Sequence, residues 1–213
     1  MREASLQFIY ASQIAEATSR LLAAQRFLAS FKTTGDVPEL EASVLQLRKA
    51  LEMIAFAVIA PDKKQYATFR AATNNSDFTK DYHAARIFTT LARINKDFYP
   101  VALLPAVRQS DGLWHFSGKQ SGYLTQKKFG TVYDRLGKHL HAHNPWSGNK
   151  NLQNLAGDIP KIIEETHELL DLHVRYIRTP EFHGVWVLET DRLGNPPRII
   201  TAGAIGDYVV KGR

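Results

Sequence analysis

Residues 5–31, SLQFIYASQIAEATSRLLAAQRFLASF, decide the fold class of this chain. Their apolar side chains recur every three or four positions, at Leu6, Ile9, Ile14, Ala17, Leu21, Ala24, Leu28 and Phe31. This spacing follows one face of an α-helix. It predicts a long first helix that stops near Gly35, in a mainly helical protein.

Two more helices are predicted in the first half of the chain. Asp36 and Glu39 are three residues apart, which is the pattern of a capping box. They precede an apolar helical stretch at 40–60, which Pro61 closes. After a polar interval, a third helix is predicted to start near Asp77 and to include Ile94.

The second half of the chain predicts a fourth and a fifth helix. Thr125 is a suitable N-cap for the fourth helix, which ends before 144–145 because the residue preceding a proline avoids helical geometry. Asp158 and Pro160 open the fifth helix, which is predicted to end near 179–180. The sequence therefore predicts a bundle of about five helices.

Two short segments have the signature of β-hairpins. Asp111 and Gly112 lie between two apolar runs, and this dipeptide is a strong hairpin signal. Near the C-terminus, the strand-like runs 185–188 and 198–201 are joined by a segment rich in turn residues. We therefore predict a helical domain at 1–180 with a small hairpin inserted near 101–119, and a C-terminal hairpin appendage at 181–213. Because two strands alone are marginally stable in water, the terminal hairpin must pack on the helices, on the other hairpin or on another subunit.

Composition excludes several classes of protein. The chain has 213 residues, of which 44% are hydrophobic and 23% charged, as in ordinary globular proteins. It has no cysteine, which excludes disulfides, thiolate nucleophiles and cysteine-ligated metal sites. The formal net charge of +6 favours an anionic partner such as nucleic acid. No apolar run approaches a membrane span and the first residues do not resemble a secretory signal, so we expect a cytoplasmic protein without a membrane partner.

The densest group of functional side chains lies in residues 133–146, YDRLGKHLHAHNPW. It places Arg135 before three histidines, His139, His141 and His143. Arginine can hold a phosphate in a fixed orientation, and histidine exchanges protons near neutral pH. Together they suit phosphodiester chemistry without a metal. On a helix, Arg135 and His139 lie about 40° apart, but His141 could approach Arg135 if the helix frays, so spacing alone does not decide between the histidines.

The spacing of Arg135 and His141, with five residues between them, resembles the motif of HEPN-domain proteins. Segments 47–54 and 140–146 also resemble HEPN-like proteins of bacterial and phage-defence systems. Many HEPN proteins are metal-independent ribonucleases of toxin-antitoxin and antiviral systems. One departure is Leu136, since HEPN nucleases usually have a polar residue directly after the arginine.

The resemblance implies a homodimeric helical bundle that cleaves RNA without a cofactor or metal. Arg135 and His141 would be catalytic, with the ribose 2'-hydroxyl attacking the adjacent phosphate. Lys138, His139 and His143 would contact the nucleic acid. A further protein partner such as an antitoxin would fit this class.

Four other interpretations remain open at the sequence level. The histidines could cap a helix C-terminus, with Arg135 paired to Asp134 or Glu52. The three histidines could instead bind a metal ion, although they fan apart on a helix. The acidic and histidine residues of 164–173 could hold a metal, but they are more typical of a solvated helix face. Finally, the domain could bind nucleic acid or a partner protein without cleaving anything.

Overall fold

The computed structural model describes residues 3–73, 77–142, 146 and 151–204. Within these residues, six α-helices surround one side of a small antiparallel sheet. The helices are α1 (Glu3–Thr34), α2 (Val37–Ala57), α3 (Lys63–Ala71), α4 (Ala84–Ile94), α5 (Gln126–His139) and α6 (Leu152–Leu170). The strands are β1 (Val101–Ala102), β2 (Val107–Arg108), β3 (Trp114–His115), β4 (Leu172–Arg178), β5 (His183–Glu189) and β6 (Arg198–Gly203). The prediction of a mainly helical protein with a small β component is confirmed.

The first two helices form an antiparallel pair that contributes much of the core. The predicted apolar face of α1 is buried from Ile14 to Phe31. The Ser43 hydroxyl on α2 donates to the Ala24 carbonyl oxygen at 2.8 Å, which ties the two helices together midway. Gly35 makes the tight connection with a positive φ of 77°, a conformation that suits glycine.

The start and end of α2 differ from the prediction. Asp36 occupies the N-cap position, but its side chain makes no capping hydrogen bond. The capping box is therefore wrong. The helix ends at Ala57, and Pro61 lies in a separate 3₁₀ turn, Ala60–Asp62, rather than at the helix end.

The stretch between α2 and α4 also departs from the prediction. Helix α3 was not predicted, and α4 begins at Ala84 rather than near Asp77, after a 3₁₀ turn at Phe78–Lys80. The difference is caused by tertiary contacts of α3. Arg70 of α3 forms a buried ion pair with Asp81 at 2.9 Å, and the Tyr66 hydroxyl donates to the same carboxylate at 2.9 Å.

Helix α6 starts and ends earlier than predicted. Asn151 is its N-cap, and its side-chain oxygen accepts a hydrogen bond from the Asn154 backbone N–H at 3.2 Å. Asp158 and Pro160 therefore lie within the helix and do not open it. The helix ends at Leu170, and the predicted continuation to 179–180 is wrong because 172–178 forms strand β4.

Four strands form one antiparallel sheet in the order β1-β4-β5-β6. The sheet aligns Val174 with Val187 and Val187 with Ile200. One face carries Trp186 and Leu188 into the main helical core, whereas Val174 and Val187 on the other face pack with Leu103. The predicted terminal strands thus pack on the helical body. The predicted domain division at residue 180 falls between β4 and β5, which pair along their whole length.

The inserted hairpin is confirmed as a separate two-stranded unit. Val107 pairs with His115 and Arg108 with Trp114. Gly112 has a φ of 83°, and the Asp111 carboxylate accepts a hydrogen bond from the Leu113 N–H at 2.9 Å. These are the roles expected of an Asp-Gly turn.

A buried ion pair joins the sheet to the helices. Arg175 of β4 is fully buried and pairs with Asp62, which is 1% exposed. The Arg175 guanidinium also donates to the Asp97 carbonyl oxygen at 2.8 Å. The charge is therefore compensated and hydrogen-bonded, as buried charges require.

None of the helices in the described ranges is long and apolar enough to cross a membrane.

Candidate active site

Helix α5 carries the predicted site, and its own sequence sets where it starts and which side is buried. The Thr125 hydroxyl accepts a hydrogen bond from the Lys128 backbone N–H at 3.3 Å, which confirms the predicted N-cap. Phe129, Val132 and Leu136 are buried at helical spacing. Tyr133 is buried beside them, whereas Asp134 and Lys138 on the other side of the helix are exposed.

Arg135 lies on the outer side of α5 and pairs with α6. Its guanidinium is 2.7 Å from the Asp158 carboxylate, and the two side chains are 40% and 53% exposed. The alternative interpretation of Arg135, as half of a surface ion pair, named Asp134 or Glu52 as its partner. In the structure the partner is Asp158. Ion pairs this exposed are typically worth less than about 1 kcal/mol.

The remaining predicted residues lie around the C-terminal end of α5. Lys138 is exposed in the last turn, and His139 is the last helical residue and half-buried. His141 is exposed and lies two residues beyond the helix, which ends earlier than predicted because the Leu140 N–H bonds the Gly137 carbonyl oxygen in a tighter turn. His143 lies outside the described residues. Arg135 and His139 therefore share one helix face, whereas helical periodicity does not set the direction of His141.

The inner side of α5 is held by helix α2. The Arg48 guanidinium donates to the Tyr133 carbonyl oxygen at 2.9 Å and lies 3.8 Å from the centre of the Tyr133 ring. Glu52 is 3.3 Å from the same guanidinium and accepts a hydrogen bond from the Tyr133 hydroxyl at 3.0 Å. Burial and the neighbouring Glu52 carboxylate raise the pKa of Tyr133 to about 12. The Tyr133 hydroxyl is consequently a hydrogen-bond donor at neutral pH.

Gly137 makes this contact possible. A methyl group at this position would lie 2.3 Å from Arg48 Nη1, so only glycine lets the guanidinium lie directly against the helix. The sequence carried a signal for this contact, because an isolated glycine inside a helical pattern usually has a packing reason. The roles of Arg48, Glu52 and Gly137 were nevertheless not predicted.

One arginine pairs with three carboxylates on the acidic face of α6. Arg192, in the loop between β5 and β6, forms ion pairs with Glu164, Glu168 and Asp171. Glu168 also pairs with Lys119, and this contact is the main reason why its pKa lies below the usual range. The face is therefore neither a simple solvated surface nor an open metal site.

Among the residues that the structure describes, no group of three or more histidine and acidic side chains could hold a metal ion. The alternative site at His139, His141 and His143 includes one residue outside the described ranges.

Comparison of the chain with models of protein families, with curated proteins and with solved structures finds no significant match. The HEPN resemblance therefore rests on the spacing of Arg135 and His141 and on segments 47–54 and 140–146. Arg48 of the first segment lies against α5 at Gly137.

Proposed function

We propose that this chain is a metal-independent endoribonuclease of defence or toxin type, which cleaves RNA at the C-terminal end of α5. One observation carries the proposal. Arg135, Lys138 and His141 lie outside the core at one end of a helix whose opposite side is fixed by α2. The basic side chains of Arg135 and Lys138 are thus held accessible on a rigid helix, with the proton-exchanging His141 exposed just beyond it, and phosphodiester chemistry requires both kinds of group.

The ion pair of Arg135 supports an anionic ligand at this position. The Asp158 carboxylate pairs with the Arg135 guanidinium, and the Asp158 side chain is itself 53% exposed. A phosphate can replace this carboxylate at little cost, because exposed ion pairs contribute little stability and arginine binds phosphate in a bidentate fashion. Asp158 then acts as a competitor of the RNA backbone.

The proposed reaction is an internal displacement at phosphorus. The ribose 2'-oxygen attacks the adjacent phosphorus while the bond to the 5'-oxygen breaks, which leaves a 2',3'-cyclic phosphate and a free 5'-hydroxyl. His141 serves as general base for the 2'-hydroxyl or as general acid for the 5'-oxygen, and Arg135 stabilises the charge of the phosphorane. Lys138, His139 and His143 contact the substrate backbone. The need for a 2'-hydroxyl restricts cleavage to RNA, most accessibly in single-stranded loops.

We further propose a homodimer in the cytoplasm, with two pairs of Arg135 and His141 in one cleft. The net charge of +6 supports an RNA partner. An antitoxin or another protein could control the activity.

A second candidate function is favoured by Leu136. This residue directly follows Arg135 and is fully buried, whereas HEPN nucleases usually have a polar residue here. The buried leucine supports a non-catalytic HEPN-like module, which binds nucleic acid or a partner protein without cleaving it.

Cleavage of a labelled single-stranded RNA in excess EDTA distinguishes the two functions. The nuclease gives cyclic-phosphate products with the wild type and loses them in Arg135→Ala and in His141→Ala. Matched controls are Arg26→Ala and His115→Ala, which remove an exposed arginine and an exposed histidine elsewhere. Circular dichroism confirms that all five proteins are folded. Binding of RNA without cleavage by the wild type contradicts the nuclease and supports the module.

A further inference from the structure

Strand β6 forms an open edge of the four-stranded sheet. Among the residues that the structure describes, β6 pairs with β5 on one side and with no strand on the other. An unpaired edge presents a row of backbone N–H and C=O groups that can bind another strand. What this edge can bind therefore depends on which backbone groups of β6 point outward.

The register of the sheet identifies the outward groups. The Ala204 N–H, directly after β6, donates to the His183 carbonyl oxygen at 2.9 Å. Such bonds recur at every second residue of an antiparallel pair, so the even-numbered residues of β6 bond β5. The backbone groups of the odd-numbered residues point away from the sheet. These residues are Ile199, Thr201 and Gly203.

The opposite edge of the sheet is protected in a way that β6 is not. Beyond the short strand β1, the Tyr176 carbonyl oxygen of β4 accepts hydrogen bonds from the side chains of Asn95 at 3.1 Å and Arg175 at 2.8 Å. Edge strands are also commonly blocked by a charged residue or a proline within the strand. In β6 the only charged residue is the first one, Arg198, and residues 199–203 include neither a charge nor a proline.

We propose that β6 pairs with β6 of a second copy of this chain, antiparallel and about a twofold axis at Thr201. The axis places Thr201 opposite Thr201 of the partner subunit, and Ile199 opposite Gly203 of the partner subunit. Each opposed pair exchanges two backbone hydrogen bonds, so the outward groups of both strands are all used. The contact is self-complementary and closed, as in most homodimers.

The sequence around β6 favours this register. If the axis lay at Ile200 instead, Gly203 would be opposite Pro197 of the partner subunit, which has no N–H to donate. With the axis at Thr201, Ile200 lies beside the small Ala202 of the partner subunit. Ile200 is 44% exposed on the outer face of the sheet, so this neighbour covers part of an apolar side chain.

The charges of β6 also permit a second copy as the occupant. Six residues separate Arg198 from the position opposite Arg198 of the partner subunit, which corresponds to about 20 Å along the strands. Charges this far apart in solvent are largely screened, because the Debye length is about 10 Å at moderate salt. None of the pairing residues belongs to α5, so the proposal does not depend on the nuclease.

Disulfide crosslinking tests the position of the axis, because the chain has no cysteine of its own. In Thr201→Cys the two new thiols are directly opposite, with Cα atoms about 5.5 Å apart, a separation that suits a disulfide. Gly203→Cys is the matched control, since its new Cβ meets no atom within 4 Å. Its two thiols are about 14 Å apart in the proposed dimer. Under mild oxidation, Thr201→Cys should form a covalent dimer about tenfold faster or more.

Analytical ultracentrifugation at micromolar concentration measures the dimer itself. Thr201→Pro removes the N–H at the axis without breaking a bond to β5, because this N–H points outward. The loss of two hydrogen bonds across the axis should weaken the dimer about tenfold or more. Thr201→Val is the control, since it keeps the N–H and removes only the hydroxyl that accepts from Gln7 at 2.8 Å. It should dimerise as the wild type does.

Three results would overturn the proposal. The first is a wild-type chain that is monomeric at these concentrations. The second is a folded Thr201→Pro protein as dimeric as the wild type, which would locate the contact on another face. The third is crosslinking of Thr201→Cys no faster than that of Gly203→Cys, and this comparison decides even when Thr201→Pro does not fold. All three are measured without RNA, so they are distinguishable from a failure of the nuclease proposal.

Discussion

Replacement of Gly137 by alanine tests how helix α5 is held. The new Cβ would lie 2.3 Å from Arg48 Nη1 and 3.2 Å from Arg48 Cζ, so the guanidinium must move away from the helix. Its hydrogen bond to the Tyr133 carbonyl oxygen and its contact with the Tyr133 ring are then lost.

The expected size of the effect follows from these contacts. A hydrogen bond from a charged group contributes about 1.5–3 kcal/mol, and a cation–π contact of this kind about 0.5–1 kcal/mol. Against this loss, alanine stabilises a helix interior by about 1 kcal/mol relative to glycine. Gly137→Ala should therefore lower the free energy of unfolding by about 1–3 kcal/mol.

Urea unfolding followed by circular dichroism measures the effect, and the chain offers a matched control. Gly130 lies on the same helix with no atom within 4 Å of a new Cβ, so Gly130→Ala should raise the free energy of unfolding by about 1 kcal/mol. In an Arg48→Ala background, Gly137→Ala should become stabilising by a similar amount, because the clash is gone. If Gly137→Ala stabilises the otherwise wild-type protein as much as Gly130→Ala does, the Arg48 contact does not hold α5 and the explanation fails.

Three further predictions concern charged and titratable groups. Asp158→Asn should raise the affinity for single-stranded RNA about two- to fivefold by releasing Arg135 from an exposed ion pair, and fluorescence anisotropy that shows no gain would exclude competition at this site. Asp62→Ala should lower the free energy of unfolding in urea by about 3–5 kcal/mol because it leaves the buried Arg175 charge uncompensated, and a loss below about 1 kcal/mol would contradict that account. Burial lowers the pKa of His173 from the ordinary 6.5 to about 4, so only the unfolded chain gains a proton as pH falls through this window. Stability should therefore decrease by about 2 kcal/mol between pH 7 and pH 5, and this decrease should shrink in His173→Gln if His173 causes it.

Where local sequence sets the structure, the predictions are confirmed. The buried stripe of α1, the Thr125 cap and the Asp111-Gly112 turn all depend on residues close together in the chain. The strands near 185–188 and 198–201 were also predicted, because β-branched residues and turn signals are local features. Among these elements, the Thr125 cap sets the start of α5, and the two predicted terminal strands form β5 and β6 of the sheet.

The missed elements depend on contacts between distant residues. Helix α3 buries Arg70 only because Asp81 pairs with it, and a polar helix of nine residues gives little periodic signal. Strand β4 is buried on both faces, so it lacks the alternation of a half-exposed strand, and its apolar residues continue the spacing of α6. Because the sequence predicts Asp158 as the opening residue of α6, it gives no indication that Asp158 pairs with Arg135.

The two proposed catalytic side chains are positioned by different means, and this affects how the proposed nuclease would work. Arg135 lies within α5, and its place follows from the buried face of that helix and from Arg48 behind it. His141 lies past the last helical turn, where its position depends on the chain beyond the helix. Under the proposed function, RNA or a second subunit must therefore bring His141 toward a phosphate that Arg135 already holds. This arrangement is compatible with the second candidate function as well, because RNA binding through Arg135 does not require His141 to be in place.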